Sequence, residues 1–245
     1  MAAVIEFQNF QKRFGSKQVH RDVSFTVHEG ECLGLLGGSG CGKSVILRSL
    51  IGLEKPDGGR ILVEGQDVGT MSESELVEIR KKVAYVFQNG ALFDSMTVFE
   101  NLAYPLRAHT NLSEEEIRAR IHAQLAEFDL EGNDHVMPAN LSGGMQKRVG
   151  LARSIILQPK IVLYDEPTAG LDPYNTLRIQ EMILRLKTRG VTSIFVTHDM
   201  PSAFAVCDRI ALLRNGRIEA IGTREEFESQ GPDNPLSRFV RGEEP

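Results

Sequence analysis

The octapeptide GGSGCGKS at 37–44 dictates more of the architecture than any other stretch of the chain. It follows an apolar run, CLGLL (32–36), and leads into SVILRSLIG (44–52), so the backbone must turn from a strand into a helix across a loop almost without side chains. The spacing Gly37-x-x-x-x-Gly42-Lys43-Ser44 is that of a phosphate cradle. Gly37, Gly38, Gly40 and Gly42 let backbone N–H groups, those of Ser39 and Cys41 included, close around the β- and γ-phosphates of a nucleotide. The helix start adds the positive end of its dipole. Lys43 brings a point charge to the phosphate oxygens, and the Ser44 hydroxyl can ligate Mg²⁺. Cys41 is read as a small filler rather than a redox centre, since nothing pairs with it. A glycine-rich turn without a ligand is the bland alternative; strand, loop and helix standing in order argue against it.

The rest of the chain alternates in the same manner. Strand-like runs are VIEF (4–7), ECLGLL (31–36), RILVEG (60–65), VAYVF (83–87), IVLYD (161–165), SIFVTH (193–198) and RIALLR (209–214). Asn215-Gly216, between the last of these and RIEAIG, reads as a hairpin turn. The early runs suggest mixed or antiparallel sheet, whereas 161–165 and 193–198 are expected as central parallel strands. Residues 95–158 are expected to be mostly helical. There Ser113 and Glu116 form a capping box for a helix whose Ile117, Ile121, Leu125 and Phe128 share one face. A later helix, from Pro173, places Ile179, Ile183 and Leu186 on one face and stops at Arg189-Gly190. The expected class is α/β: a core of 1–94 and 159–222 with a mixed β N-terminal part, an inserted helical subdomain at 95–158, and a C-terminal helix and extended tail at 223–245.

Composition restricts the setting. With 245 residues, 41% hydrophobic and 25% charged, the chain is ordinary for a globular protein, and its net charge of −5 argues against a broad nucleic-acid-binding face. Cys32, Cys41 and Cys207 are scattered without a CxxC pair, which points to a reducing compartment. The start, MAAVIEFQNFQKR, lacks the apolar core of a signal peptide, and no run approaches the ~18 apolar residues of a membrane span. The expectation is a soluble cytoplasmic chain that reaches a membrane only through a partner.

IVLYDE (161–166) supplies the other half of a nucleotide site. A buried strand ending in Asp165 sets a carboxylate at the C-terminal edge of the sheet, beside the Mg²⁺. Glu166 follows where a water attacking the γ-phosphate is oriented or deprotonated, a service worth ~10²–10⁴-fold. Two other strand ends carry polar groups. The Gln88 amide can reach the Mg²⁺ or the attacking water, and the His198 imidazole can donate to γ-phosphate oxygens or be a plain surface residue.

LSGGMQKRVGLARS (141–154) opens like a second cradle. Met145, Val149, Ala152 and Ile156 share a helical face, which leaves Ser142, Gly143 and Gly144 as an exposed anion-binding end with Lys147 and Arg148 one turn in. The first loop already serves its own helix, so this end is expected to serve the nucleotide of a second copy, two chains packing head to tail about a two-fold axis. Ser142 as an ordinary N-cap is the alternative.

This stretch resembles the signature motif of ABC-type ATPases, and further motifs of that family stand in order along the chain. Phe14 in KRFGSKQV resembles the aromatic that stacks on adenine, GGSGCGKS the Walker A loop and Gln88 the Q-loop. IVLYDEP resembles the Walker B strand with Glu166 as catalytic base, AGLD (169–172) the D-loop, and His198 the switch histidine. The resemblance implies an ABC-type P-loop nucleotide-binding domain, with Ser44, Gln88 and Asp165 toward Mg²⁺ and Ser142, Gly143 and Gly144 toward the partner's ATP. Met145 stands where the family usually has Gln; Ser142 and the glycines make the phosphate contacts, so ATPase function is expected to survive.

Softer stretches, QNGALFDSMTVFENLAYPLR (88–107), LYDEPTAGLDP (163–173) and DNPLSRFV (233–240), are similar to the ATPases of Mla-type (maintenance of lipid asymmetry) transporters. That similarity implies a homodimer that dimerises on ATP and powers phospholipid movement across the bacterial envelope. Its partners would be an integral membrane permease dimer, an MCE-domain lipid-binding protein and, in some systems, a small STAS-domain regulator, with no nucleic acid. The chain would sit peripherally on the cytoplasmic face of the inner membrane. The strip Leu92, Phe93, Met96, Val98 and Phe99 lies where the family receives a coupling helix, and some of it must be core. The alternative is the same engine serving a small-solute transporter, such as one for amino acids. Free-standing ABC proteins of DNA or the ribosome and P-loop kinases fit less well: the chain has one cassette, no heptads and an acidic balance, and a kinase needs neither LSGGM nor a hydrolytic Glu166. In the tail, Thr223 and Glu226 form a capping box. GPDNPLSRFVRGEEP is then expected to be extended, with Leu236 and Phe239 docking on the partner ATPase or a regulator, or to be disordered.

Overall fold

Two long antiparallel strands open the chain in the computed structural model, which describes residues 2–231 and 233–242. β1 (Ala3–Phe14) and β2 (Lys17–His28) turn at Gly15, whose φ of 57° suits a residue without Cβ. Ile5, Phe7 and Phe10 of β1 and Val23, Phe25 and Val27 of β2 face inward, with the Phe7 and Phe25 rings stacked 4.6 Å apart. VIEF marks only the first part of β1, and β2 was not anticipated: its irregular alternation follows register shifts in the β1–β2 ladder.

Eight more strands complete one sheet among the described residues: β3 (Cys32–Leu36), β4 (Gly58–Val63), β5 (Gln66–Asp67), β6 (Val83–Val86), β7 (Ile161–Asp165), β8 (Thr192–Thr197), β9 (Arg209–Arg214) and β10 (Arg217–Gly222). Their order is β5-β4-β1-β2-β10-β9-β3-β8-β7-β6. The side from β5 to β2 is antiparallel, whereas β9, β3, β8, β7 and β6 run parallel. β7 and β8 are parallel as expected and each is paired on both sides, β7 standing one strand from the edge; β8 is buried along its whole length, as a parallel strand covered on both faces must be. β9 and β10 form the anticipated hairpin, with φ of 49° at Asn215 and 73° at Gly216.

The pairs Leu36↔Thr197, Val196↔Asp165 and Tyr164↔Val86 bring the C-terminal ends of β3, β8, β7 and β6 to one edge. Whatever follows those strands converges there: the glycine loop after β3, Gln88 after β6, Glu166 after β7 and His198 after β8.

The helices are α1 (Lys43–Leu50), α2 (Glu73–Lys82), α3 (Val98–His109), α4 (Glu114–Glu127), α5 (Gly143–Ile155), α6 (Pro173–Thr188), α7 (Met200–Val206), α8 (Arg224–Ser229) and α9 (Pro235–Val240). Leu102 and Leu106 of α3, Ile117, Ile121 and Leu125 of α4, and Val149 and Ala152 of α5 share one apolar cluster with Tyr164 of β7. The capping box at α4 is present: the Ser113 amide donates to Glu116 Oε2 at 2.7 Å, and the Glu116 amide to Ser113 Oγ at 3.3 Å. α2 escaped the sequence reading because only Leu76 and Ile79 of its ESELVEIRKK are buried, too few to show a period. No helix among the described residues is long and apolar enough to cross a membrane.

The C-terminal tail departs from expectation. Residues 235–240 are helical rather than extended, because Asn234 caps α9 by accepting the Ser237 amide at 2.8 Å and Pro235 sits in the first turn. Leu236 is buried on this same chain, beside Phe227 of α8 and Leu212 of β9, so it is no free handle for a partner. Pro232 and residues 243–245, part of the same expectation, lie outside the described residues.

Candidate nucleotide site

The glycine loop is fixed from behind. Gly42 stands at φ 102° before α1, and a Cβ there would fall 2.5 Å from Val19 Cγ1 and 2.6 Å from His20 Nε2. His20 itself is fully buried, and its Nε2 lies 3.1 Å from the Gly42 carbonyl, so the proton is assigned to Nε2 as donor. Its Nδ1 is buried without a partner, and burial lowers its pKa to about 4 against the weaker opposing pull of the Gly42 carbonyl. Toward the mouth the loop is bare: a Cβ on Gly38 or Gly40 would meet nothing within 4 Å.

Lys43, only 5% exposed, donates to the carbonyls of Gly37 at 2.7 Å and Gly38 at 3.2 Å, and stands 3.7 Å from Glu166 Oε1. A buried ammonium held mainly by neutral carbonyls is a ready acceptor site for phosphate oxygens. Ser44 Oγ donates to Asp165 Oδ1 at 2.8 Å, and Tyr85 donates its hydroxyl to Asp165 Oδ2 at 2.7 Å. Glu166 takes a left-handed φ of 51°, a conformation that costs about 1–3 kcal/mol in a residue with a side chain. It holds its carboxylate between Lys43 and His198, whose Nδ1 is 2.6 Å from Glu166 Oε2. Phe14, Ser39, Gly40, Gly42, Lys43, Ser44, Gln88, Glu166 and His198 line one open cleft of ≈ 560 Å³. Phe14 is exposed at its rim, and Cys41 lies partly buried beneath the loop, where burial raises its thiol pKa.

Ser142, Gly143 and Gly144 do not line this cleft. Ser142 is exposed and caps α5, accepting the Met145 amide at 3.3 Å, and Gly143 is open to solvent. Gly144 corrects the expected exposed end: it is buried, and a Cβ there would lie 2.3 Å from Asn175 Oδ1 of α6. Nor do the basic residues one turn in face the helix start. Lys147 donates to the Ala169 carbonyl in the AGLD turn, and Arg148 to the carbonyls of Phe128 and Asp129.

The apolar strip after Gln88 divides as anticipated. Val98 is core, whereas Phe93 is 41% exposed and lies edge-on to an exposed Tyr104. Side chains of α3 and α5 hold this loop. Buried Asn101 donates to the carbonyls of Phe93, Met96 and Thr97, and Arg153 of α5 donates to those of Gly90 and Ala91 with its guanidinium over the Phe93 ring.

A bare glycine loop, a buried lysine, a serine–aspartate pair and a glutamate–histidine pair at the C-terminal edge of a parallel sheet define a P-loop nucleoside-triphosphatase. The family model described as ABC transporter matches residues 20–169. The chain belongs to that family and is an ABC transporter ATPase. It is 41% identical over 244 residues to the "Probable ribonucleotide transport ATP-binding protein mkl" of Mycobacterium tuberculosis (strain ATCC 25618 / H37Rv), a match covering 99% of this chain and 67% of that protein. It is 35% identical over 243 residues to the intermembrane phospholipid transport system ATP-binding protein MlaF of Escherichia coli (strain K12), covering 99% of this chain and 90% of that one. Among solved structures, the dimeric post-hydrolysis state of the ATP-binding cassette MJ0796 with ADP and Pi is similar at a TM-score of 0.83 and 32% identity, over 89% of this chain and 98% of that one.

Proposed function

We propose that this ATPase powers a permease that moves phospholipids across a bacterial envelope, as a homodimer on the cytoplasmic face of the inner membrane with an MCE-domain lipid-binding protein. The observation that carries the lipid reading is the similarity to MlaF, which runs through 99% of this chain and 90% of that protein. The small-solute reading is supported by mkl, which is more identical at 41% and bears a ribonucleotide transport name.

In the proposed cycle Phe14 stacks on adenine, and the N–H groups of Gly37, Gly38, Ser39, Gly40, Cys41 and Gly42 enclose the phosphates. Lys43 exchanges its two loop carbonyls for phosphate oxygens. The donor set suits Mg²⁺: Ser44 and Asp165 present hard oxygens side by side, Gln88 opens on the same cleft, and this ion keeps most of its shell for water and phosphate. Bound there, Mg²⁺ would offset the charge on the phosphate oxygens. Glu166 orients the attacking water and takes its proton on the carboxylate, and His198, whose Nδ1 lies 2.6 Å from that carboxylate, exchanges it for a γ-phosphate oxygen as Lys43 exchanges its carbonyls. Ser142 and Gly143 close the partner's site, with Gly144 shaping the helix start. Residues 95–158 act as a helical unit on the core of 1–94 and 159–222, and the Phe93–Tyr104 surface receives the permease.

Co-purification with the proteins of its own operon, followed by mass spectrometry of bound small molecules, tests the assignment. Phospholipid in the complex, and ATP turnover that rises in phospholipid vesicles, are expected. A complex free of lipid whose turnover answers to a soluble solute would replace the lipid reading with the small-solute one.

A further inference from the structure

The Asp165 carboxylate is gripped from both sides, and only one grip belongs to the phosphate loop. Ser44 Oγ donates to Oδ1 at 2.8 Å, and Tyr85, on the neighbouring strand β6, donates to Oδ2 at 2.7 Å. Tyr85 is itself fixed by contacts that do not involve Asp165. Its backbone is held in the parallel ladder opposite Leu163 of β7, and its ring lies 4.3 Å from that of Phe87. The phenol is therefore a preset donor rather than a side chain that follows the carboxylate. A carboxylate carried on a single bond swings unless both oxygens are claimed, and O–H donors to an ionised oxygen at this range are among the stronger hydrogen bonds.

We propose that Tyr85 is a positioning residue for Asp165: its hydroxyl holds Oδ2 so that Oδ1 stays on Ser44, and it thereby sets the Mg²⁺ affinity of the ATP site. The inference rests on the nucleotide site proposed above and adds a determinant from outside the phosphate loop. Tyr85 does not line the cleft; it acts through Asp165. If it served packing alone, its ring would suffice and its hydroxyl would be dispensable.

Tyr85→Phe separates the two roles, since it removes one oxygen and keeps the ring against Phe87. Binding of a fluorescent N-methylanthraniloyl ATP to the full chain is followed while Mg²⁺ is titrated from a chelated start, without reference to turnover. In Tyr85→Phe the half-saturating Mg²⁺ concentration should rise about ten-fold, the lower end of what outer partners of metal ligands contribute, while Mg²⁺-free nucleotide binding and the urea midpoint stay unchanged. In an Asp165→Asn background the same substitution should shift the Mg²⁺ midpoint by less than about two-fold, because the group it positions is already altered. An unchanged Mg²⁺ midpoint, or an equal loss of binding with and without Mg²⁺, would overturn the proposal. Wild-type binding indifferent to Mg²⁺ would overturn the site assignment along with it, so the two failures are told apart by the wild-type curve.

Discussion

Lowering the pH should loosen this fold through one residue behind the phosphate loop. His20 is fully buried, donates through Nε2 to the Gly42 carbonyl, and faces the Phe10 ring at 5.4 Å between centroids. A second proton would have to go to Nδ1, which is buried with no acceptor near it, and the pKa accordingly falls from 6.5 to about 4. The unfolded chain takes that proton near pH 6.5 and the folded chain only near 4, so between those values the unfolded state binds more protons and stability rises with pH. The contribution is whole above the unfolded value and is lost as pH falls through the window. At about 1.36 kcal/mol per pH unit it amounts to about 3 kcal/mol in full, of which about 2 kcal/mol is gone by about pH 5. Urea unfolding from about pH 7 to about pH 4.5 should show it as a difference between wild type and His20→Gln, which offers an amide donor that does not titrate. Carboxylates titrate in both proteins and cancel in the difference. Parallel loss of stability in the two would refute the assignment.

Two further substitutions probe close approaches. In Gly150→Ala the new Cβ would fall 2.5 Å from Gly90 Cα and 2.8 Å from its carbonyl oxygen, a backbone contact that cannot yield as a side chain would. A loss of about 1–3 kcal/mol by urea titration is expected, and an unchanged midpoint would contradict the tight seat of the Gln88 loop on α5. Leu236→Ala should destabilise the isolated chain by about 2 kcal/mol or more, measured in the same way, since Leu236 is buried against its own α8. A variant that is stable but assembles poorly would instead restore Leu236 as a handle for a partner.

The sequence disclosed what is local. The glycine loop, the strand ending in Asp165-Glu166 and the Asn215-Gly216 turn each carry their reason in a few consecutive residues. The convergence of Gln88, Glu166 and His198 could also be read, because parallel strands bring their C-terminal ends to one edge. What stayed hidden depends on contacts across the fold. Tyr85 meets Asp165 over a separation of 80 residues, and nothing in VAYVF distinguishes it from packing. His20 sits in a strand whose irregular register broke the alternation that would have revealed it. Gly144 and Lys147 depart from their sequence pattern for a related reason: spacing along α5 gives the side of the helix but not that Asn175 and the Ala169 carbonyl already occupy it. The Pro and Gly content of the tail suggests extended chain, yet Asn234-Pro235 is equally a helix start, and only the apolar surface beside it decides.

The composite site, in which Ser142 of one chain closes on the nucleotide held by Lys43 of another, is tested most directly by the solution mass of Glu166→Gln with ATP and Mg²⁺. Light scattering should give twice the mass of one chain, because binding remains while hydrolysis stops, and Ser142→Arg in the same background should return it to a single chain with ATP still bound. A Glu166→Gln protein that stays monomeric in ATP, or a dimer indifferent to Ser142→Arg, would contradict it.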